Sequence, residues 1–235
     1  MLTVESLDVF IQSSHILRRL SIEVRDREVV CLVGRNGAGK TTTLRTIMGY
    51  LRPRTGRIVF QGEEIQGQPT HRIAGRGIGW APEDGAIFTD LTVAENIEIA
   101  TWTRSGGRPA TERIERAYEV FPVLRGYRHR KGPEMSGGER KMLSVARALA
   151  LDPRMLLLDE PFEGLSPAII PTVSRGLAEI TQRGHAILLA ESNLHHVPEF
   201  ATRLYVIERG EIIFAGPPAA VRDDAAVMRV ISGVA

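Results

Sequence analysis

The chain has 235 residues, 43% hydrophobic and 25% charged, which is enough apolar material for a sizeable core and argues against intrinsic disorder. Its net charge of +2 is too small to indicate a nucleic-acid partner. No stretch approaches the roughly 18–20 apolar residues of a membrane-spanning helix, and the single cysteine, Cys31, cannot form an internal disulfide. We therefore expect a soluble, cytosolic protein that reaches a membrane only through a partner.

Short apolar stretches alternate with helical ones along the chain. After Glu28, the remaining five residues of the run 28–33 are all apolar, which is typical of a strand buried on both faces. A glycine-rich turn leads from this run into a helix at 42–50. Thr92 and Glu95 form a capping box that opens another helix. Further strands are predicted at 3–9, 20–24, 56–60, 78–81, 155–158, 186–190, 204–207 and 212–214. Further helices are predicted at 112–120, 140–150 and 173–183, with an interruption at 105–109.

This alternation of strands and helices predicts an α/β fold with a mainly parallel sheet flanked by helices. We interpret residues 1–235 as a single domain. Within it, the segments 1–83 and 151–215 form the core, and the mostly helical block 84–150 is a helical subdomain. Residues 216–235 are predicted to form short C-terminal helices.

The loop after the strand at 28–33 matches the phosphate-binding pattern G-x-x-x-x-G-K-[ST]. Its glycines let backbone N–H groups point inward at phosphate oxygens, and the following helix N-terminus adds partial positive charge. Lys40 should reach the β- and γ-phosphates of ATP, and the Thr41 hydroxyl should ligate Mg²⁺. The predicted nucleotide-binding residues of this loop are Gly34, Arg35, Asn36, Gly37, Ala38, Gly39, Lys40, Thr41 and Thr42. Alone, the motif indicates only a P-loop nucleotide binder.

Two carboxylates, Asp159 and Glu160, follow the apolar strand at 155–158. At the end of such a strand, Asp159 would hold Mg²⁺ through water. Glu160 would then lie next to the γ-phosphate and polarise the attacking water as a general base. A strand followed by an ordinary acidic turn gives the same pattern, so the interpretation depends on its coexistence with the phosphate loop.

The segment 135–139, Met-Ser-Gly-Gly-Glu, precedes the helix at 140–150. Ser136 can cap that helix, while Gly137 and Gly138 expose its N–H groups, which makes a second anion site. With its three motifs in this order, the whole chain resembles the ATP-binding cassette (ABC) family of P-loop NTPases. The resemblance implies an antiparallel β subdomain, ATP and Mg²⁺ as ligands, and a dimer in which Ser136, Gly137 and Gly138 contact the nucleotide of the partner cassette.

Several positions depart from the family pattern. The resemblance places Glu83 at the Q-loop glutamine, which links the nucleotide to the membrane subunits, and makes Glu83 a candidate catalytic residue and metal ligand. Ser166 falls at the D-loop aspartate. Ser192 falls at the switch histidine, where a hydroxyl is shorter than imidazole and cannot carry a positive charge. His195 and His196 follow it, and we interpret both as solvated or helix-surface residues.

The resemblance also implies an aromatic side chain that stacks on adenine. Counting back from Gly34 puts Ile11 at the usual position, so Phe10 can serve only if the loop shifts by one residue. We name Phe10 as the candidate.

The departures narrow the resemblance to one branch. The Pro82-Glu83 pair, the stretch 159–167 and the serine switch resemble the second, LivF-like cassette of branched-chain amino-acid importers. This implies a second cassette, two permease subunits, a periplasmic substrate-binding protein and a place at the cytoplasmic face of the inner membrane. The second cassette can be identical, giving a homodimer, or different; in the branch that this chain resembles it is a different cassette with an intact switch histidine. A urea or amide importer cassette and a non-transport ABC ATPase remain the alternatives.

Overall fold

The structure is a computed structural model that describes residues 1–103 and 107–233. Residues 105 and 106 of the predicted interruption, and the last two residues of the predicted C-terminal helices, lie outside the described residues. The strands are β1 (Leu2–Ile11), β2 (Ser14–Val24), β3 (Val29–Val33), β4 (Thr55–Phe60), β5 (Glu63–Glu64), β6 (Ile78–Ala81), β7 (Met155–Asp159), β8 (Ala186–Glu191), β9 (Arg203–Glu208) and β10 (Glu211–Gly216). The α-helices are α1 (Lys40–Ile47), α2 (Thr70–Gly75), α3 (Val93–Ala100), α4 (Ala110–Val120), α5 (Val123–Gly126), α6 (Gly137–Ala150), α7 (Ile170–Gln182) and α8 (Ala225–Ser232).

The chain forms two compact units, and the first contains Met1–Ile73 and Ala186–Ala235. One of its sheets is antiparallel, in the order β2-β1-β4-β5. The pairing of β1 with β2 shifts register between Val4 and Leu7, and Ser6 there has a φ of 46°. Such a bulge interrupts the two-residue period of a strand, which is why the sequence shows only loose alternation in this region.

The same unit contains parallel strands around β3. This strand pairs in parallel with β8 on one side and β9 on the other, and β10 adds antiparallel to β9. Cys31 lies opposite Leu189 and Leu204 and is completely buried. Burial raises the pKa of the Cys31 thiol, and the nearby charge of Glu191 raises it further. Every residue of β3 and β8 is buried, which explains their continuous apolar sequences.

The second unit contains Ala74–His185. Its strands β6 and β7 pair in parallel, and Trp80 lies opposite Leu157. Helix α6 packs against α3, α4, α5 and both strands, so it is the central helix of this unit. Its buried face supplies the apolar side chains Met142, Leu143, Val145, Ala146, Ala148, Leu149 and Ala150.

The α/β fold with parallel strands, an antiparallel β element and a helical region is confirmed. The first strands are longer than predicted, because their bulges hide the ends of the pattern. The proposed division into core segments and the helical subdomain 84–150 stays a prediction, although α3 to α6 all lie within that range. Within residues 1–103 and 107–233, none of the helices has the length and apolar character needed to cross a membrane.

Packing of α7 against the segment after α4 predicts one strong stability effect. A Cβ on Gly176 would lie 2.4 Å from Cε1 of Phe121, a ring that is completely buried. We expect Gly176→Ala to lower the free energy of unfolding by roughly 1–3 kcal/mol, because the ring has to move within a packed core. Urea denaturation with an unchanged m-value would measure the loss.

Gly126→Ala is the matched control, since nothing lies within 4 Å of a Cβ at that helical position. That change should leave stability unchanged or raise it slightly. Equal stability of the two variants would contradict the packing described for α7.

Candidate functional site

The loop between β3 and α1 is held in a shape that only glycine permits at its ends. A Cβ on Gly34 would lie 2.4 Å from the carbonyl oxygen of Ile207. Gly39 has a φ of 116°, and a Cβ there would lie 2.7 Å from Leu17. Gly39 also precedes the first residue of α1, and no side chain in the described part of the chain caps that helix. The N-terminus of α1 therefore faces the concave side of the loop, as phosphate binding requires.

The Lys40 side chain lies within this loop and bonds to its backbone. Its ammonium Nζ donates to the carbonyl oxygen of Gly34 at 2.7 Å and to that of Arg35 at 3.3 Å. The side chain is only 5% exposed, so the charge is stabilised by these carbonyls rather than by bulk water. The ammonium is thereby fixed inside the curled loop, where it can meet a polyphosphate.

Backbone hydrogen bonds fix the loop to its neighbours. The Ala38 carbonyl accepts from the N–H of Gly210, and the Gly34 N–H donates to the carbonyl of Glu191 at the end of β8. Of the other predicted loop residues, Arg35, Asn36 and Gly37 are exposed at the crest, while Thr41 and Thr42 are half-buried on the first turn of α1.

The end of β8 brings the switch position beside this loop. Ser192 follows Glu191 directly, and Glu191 is both completely buried and bonded to Gly34 through its carbonyl. The Nδ1 atom of His196 lies 3.1 Å from Oε2 of Glu191. The interpretation of His196 as a solvated or helix-surface residue stays a prediction, since its side chain is 23% exposed, and His195 is exposed.

Phe10 lies at the end of β1, next to the turn into β2. The imidazole of His15 stacks on its ring, with centroids 4.2 Å apart and an interplanar angle of 7°. The Arg54 guanidinium lies 5.0 Å from the Phe10 centroid. Ile11, at the alternative position, is 42% exposed. The Phe10 ring is therefore already in contact with an imidazole and a guanidinium, and its role toward adenine stays a prediction.

The second unit carries the acid pair at the end of β7. Asp159 and Glu160 are 2% and 3% exposed, and Glu160 has a φ of 48°. That backbone conformation is uncommon for a residue with a side chain, and strained residues of this kind cluster at functional sites. The Lys141 ammonium donates to the carbonyl oxygen of Glu160 at 2.5 Å, which fixes the turn after the strand to helix α6.

A third carboxyl group joins this turn. Burial raises the pKa of the Glu163 carboxyl, and the nearby charges of Glu160 and Glu83 raise it further. A hydrogen bond between the Glu163 and Glu83 side chains acts in the same direction. The structure therefore brings Glu83 and Glu160 together through Glu163, although they are far apart in sequence.

The serine-glycine segment forms the start of α6. Ser136 is the N-cap: its hydroxyl accepts from the N–H of Glu139 at 3.3 Å, and the Glu139 carboxylate accepts from the Ser136 N–H at 2.7 Å. The predicted cap is therefore confirmed. A Cβ on Gly137 would meet nothing within 4 Å, whereas one on Gly138 would lie 3.1 Å from Ile169.

Two residues near the acid pair, Lys141 and Glu163, were not found from the sequence, and the contact of His196 with Glu191 in the first unit was not predicted either. Each acts through a contact with a residue of another turn or element, so no local motif announces it. The position of Lys141, one turn after the serine-glycine segment, is the single sequence signal that links it to the site.

The oxygen ligands suit Mg²⁺ better than a transition metal. Thr41 offers a hydroxyl and Asp159 a buried carboxylate, and Mg²⁺ prefers oxygen ligands with few protein groups and several from substrate or water. No cluster of three or more His, Cys, Asp or Glu side chains that could hold a metal occurs among the described residues.

A phosphate loop after a buried parallel strand, together with a buried acid pair after another, defines the class of P-loop ATPases. The model of the ABC transporter family matches residues 17–163, which include the phosphate loop, the serine-glycine segment and the acid pair. The chain belongs to the ABC transporter family and is an ATPase.

Known relatives cover the whole chain. It is 37% identical over 234 residues to the lipopolysaccharide export system ATP-binding protein LptB of Haemophilus influenzae, covering 99% of this chain and 97% of the relative. It is 34% identical over 221 residues to the high-affinity branched-chain amino acid transport ATP-binding protein BraG of Pseudomonas aeruginosa, with 94% of each chain covered. The ADP conformation of an ATP-binding cassette of an ABC transporter superposes with a TM-score of 0.86 and 27% identity, over 99% of this chain and 98% of that one. The fold therefore binds nucleotide, and the chain is an ABC transporter ATPase subunit.

The position of Lys40 predicts the effect of removing its charge. We expect Lys40→Ala to weaken ATP binding by roughly 10–100-fold, the worth of one or two charge-assisted hydrogen bonds, and to abolish nearly all hydrolysis. Titration with a fluorescent ATP analogue and a phosphate-release assay would measure both. Arg45→Ala, on the exposed side of the same helix, is the control and should behave as the wild type. Hydrolysis by Lys40→Ala near the wild-type rate would show that the phosphate-loop assignment is wrong.

Proposed function

We propose that the chain binds MgATP with the loop Gly34–Thr42 and uses Asp159 and Glu160 to hydrolyse it. Lys40 and the loop N–H groups hold the β- and γ-phosphates, while Thr41 and Asp159 hold Mg²⁺. Glu160 is the general base for the attacking water. The observation that carries this proposal is the buried Lys40 ammonium inside a loop whose end glycines, Gly34 and Gly39, admit no side chain.

Glu83 has a second proposed role at the metal. Its carboxylate is exposed and lies close enough to Glu163, in the turn that carries Glu160, to raise the pKa of the Glu163 carboxyl. We assign Glu83 to the outer ligands of Mg²⁺, where a carboxylate replaces the glutamine amide of the family. Ser192 is assigned to the γ-phosphate, beside the loop to which the Glu191 carbonyl is bonded.

The working unit that we propose is a dimer of cassettes. In this dimer, the ATP held by the partner cassette is bound by Ser136, Gly137 and Gly138. These residues form the N-terminus of α6, where the first N–H groups of the helix are exposed and Ser136 is the N-cap. The partner is a different cassette with a histidine at the switch position. Phe10, together with the stacked His15, is assigned to the adenine ring.

For the cargo, we propose branched-chain amino-acid import at the cytoplasmic face of the inner membrane. The support is the similarity to BraG and the branch features at Glu83, 159–167 and Ser192. Two permease subunits and a periplasmic substrate-binding protein would complete the transporter. The second candidate is lipopolysaccharide export, which the identity to LptB of Haemophilus influenzae favours.

The two cargoes are distinguished by the partner and by transport. The tagged chain is purified from its own host membranes, the copurifying permease is identified, and the complex is reconstituted in liposomes. ATP-dependent uptake of radiolabelled leucine, with urea as the competing cargo, supports the proposal. Release of lipopolysaccharide from the liposomes, without leucine uptake, contradicts it and establishes the second candidate.

An unequal pair of ATP sites predicts unequal effects of two variants. Glu160→Gln removes the base at the site that contains Ser192, where turnover is already slow because imidazole is absent. Its own single-turnover rate should fall by roughly 10²–10⁴-fold. Gly137→Asp instead introduces a carboxylate at the partner's faster site, so it should lower the steady-state ATPase of the heterodimer more than Glu160→Gln does.

The comparison requires that Gly137→Asp folds, and the open space around Gly137 makes it a better choice than Gly138, which contacts Ile169. Both variants are measured in the heterodimer reconstituted with its permease, and their melting temperatures serve as the folding control. Loss of activity in Glu160→Gln with intact activity in Gly137→Asp would reverse the proposed asymmetry.

The permease is expected to dock beside Phe88. A depression of about 410 Å³ is lined by Ile87, Phe88, Thr89, Asp90 and Leu91, and Phe88 is 50% exposed. The buried Asn96 holds the Phe88 backbone by accepting from its N–H and donating to its carbonyl, both at 2.9 Å. An exposed ring on a rigid backbone suits the docking of a partner helix.

A photo-crosslinking residue in place of Phe88 should therefore crosslink to the permease in membranes. The same residue in place of Ile213, an exposed apolar side chain of the other unit, is the control and should not. Crosslinks obtained only from positions in α8 would place the permease elsewhere.

A further inference from the structure

A small enclosed cavity lies in the second unit, away from the residues assigned to nucleotide. It is bounded by α4 and by the segments that follow α6 and α7. The centre of a water-sized sphere can move through about 10 Å³ of it, which is room for about one such sphere. The lining residues are Arg113, Arg116, Leu149, Asp152, Arg183 and His185.

Arg113 is the unusual member of this lining, because it is only 6% exposed. Its Nη2 donates to the Thr101 carbonyl at 3.0 Å. Its Nε and Nη1 atoms are buried and find no acceptor in the described part of the chain. A buried guanidinium with two unbonded N–H groups is strongly destabilising, since it loses water on both groups and gains no counter-charge.

The other charges of the cavity do not balance Arg113. Arg116 forms no ion pair within residues 1–103 and 107–233 either, whereas Arg183 is paired with Glu119 at 2.8 Å and with Glu179. The Asp152 carboxylate is engaged by Arg108, through Nη1 at 2.5 Å and the backbone N–H at 3.2 Å. Two cationic side chains therefore remain without a carboxylate.

His185 adds no negative charge. Burial lowers its pKa, so the ring is neutral at physiological pH, and its Nδ1 atom lies 2.7 Å from the Pro153 carbonyl oxygen. The cavity is thus a closed space with excess positive charge and two N–H donors that no protein group accepts.

We propose that this cavity is a binding site for a monatomic anion, with chloride as the physiological ligand. The Nε and Nη1 atoms of Arg113 donate to the ion, and Arg116 supplies further positive potential. A phosphate or carboxylate ligand is excluded by the size of the cavity, and a water molecule would leave the positive charge uncompensated. The bound ion would stabilise α4 against the C-terminal ends of α6 and α7, and α6 is the helix that begins with Ser136.

The first test measures the melting temperature of the whole protein as chloride replaces gluconate at constant ionic strength. Binding to the folded state alone should raise the melting temperature by roughly 3–6 °C at about ten times the dissociation constant. Arg113→Met keeps the length and apolar part of the side chain and should remove the chloride dependence. Arg175→Met, an exposed arginine on α7, is the control and should retain it.

The second test does not depend on any variant. Crystals of the wild-type protein grown in bromide should show an anomalous bromine peak inside the cavity, beside Nε and Nη1 of Arg113. No bromine peak there, or equal melting temperatures of the wild-type protein in chloride and in gluconate, would overturn the proposal and leave water as the occupant.

Discussion

The Lys40 ammonium bonded to the carbonyls of Gly34 and Arg35 is the interaction on which the phosphate loop depends. The loop has little side-chain packing of its own, since its crest residues are exposed and its glycines carry no side chain. A buried cation that needs acceptors, and carbonyls that need donors, fix each other in place. Strand β3 ends directly before Gly34, so these hydrogen bonds lie at the point where the strand, the loop and helix α1 are joined.

In the turn after β7, a buried position is likewise fixed by a hydrogen bond between an ammonium group and a backbone carbonyl. Lys141 holds the Glu160 carbonyl while the Glu160 backbone adopts a φ of 48°. A strained residue persists only where its surroundings determine it, and here the surroundings include the helix that begins at Ser136. The position of Glu160 is therefore coupled to α6 by a direct hydrogen bond within one unit, and movement of that helix would displace the Glu160 backbone.

How much of the fold and of the candidate site could be predicted from the sequence depends on how far apart in the chain the contacting residues lie. The buried strands β3, β7 and β8 are continuous apolar runs, and the phosphate loop and Ser136 cap are local patterns, so all of these were predicted. The pairs Lys141 with Glu160, Glu163 with Glu83 and His196 with Glu191 join separate turns or elements, and no periodicity encodes them. The full extent of β1 was not predicted for a related reason, because a register shift at a bulge interrupts the two-residue period of the strand.

The division between fixed and adaptable surface explains why cargo is the hardest property to predict for this chain. Gly34 admits no side chain, and Asp159 and Glu160 are buried, so a substitution at any of these three positions meets a steric or desolvation cost. The depression around Phe88 has no such restriction, since its side chains are exposed while Asn96 holds only the backbone. On the proposed permease contact, chains with one ATPase mechanism can serve different permeases by changing the exposed surface around Phe88, and the cargo is contacted by the permease.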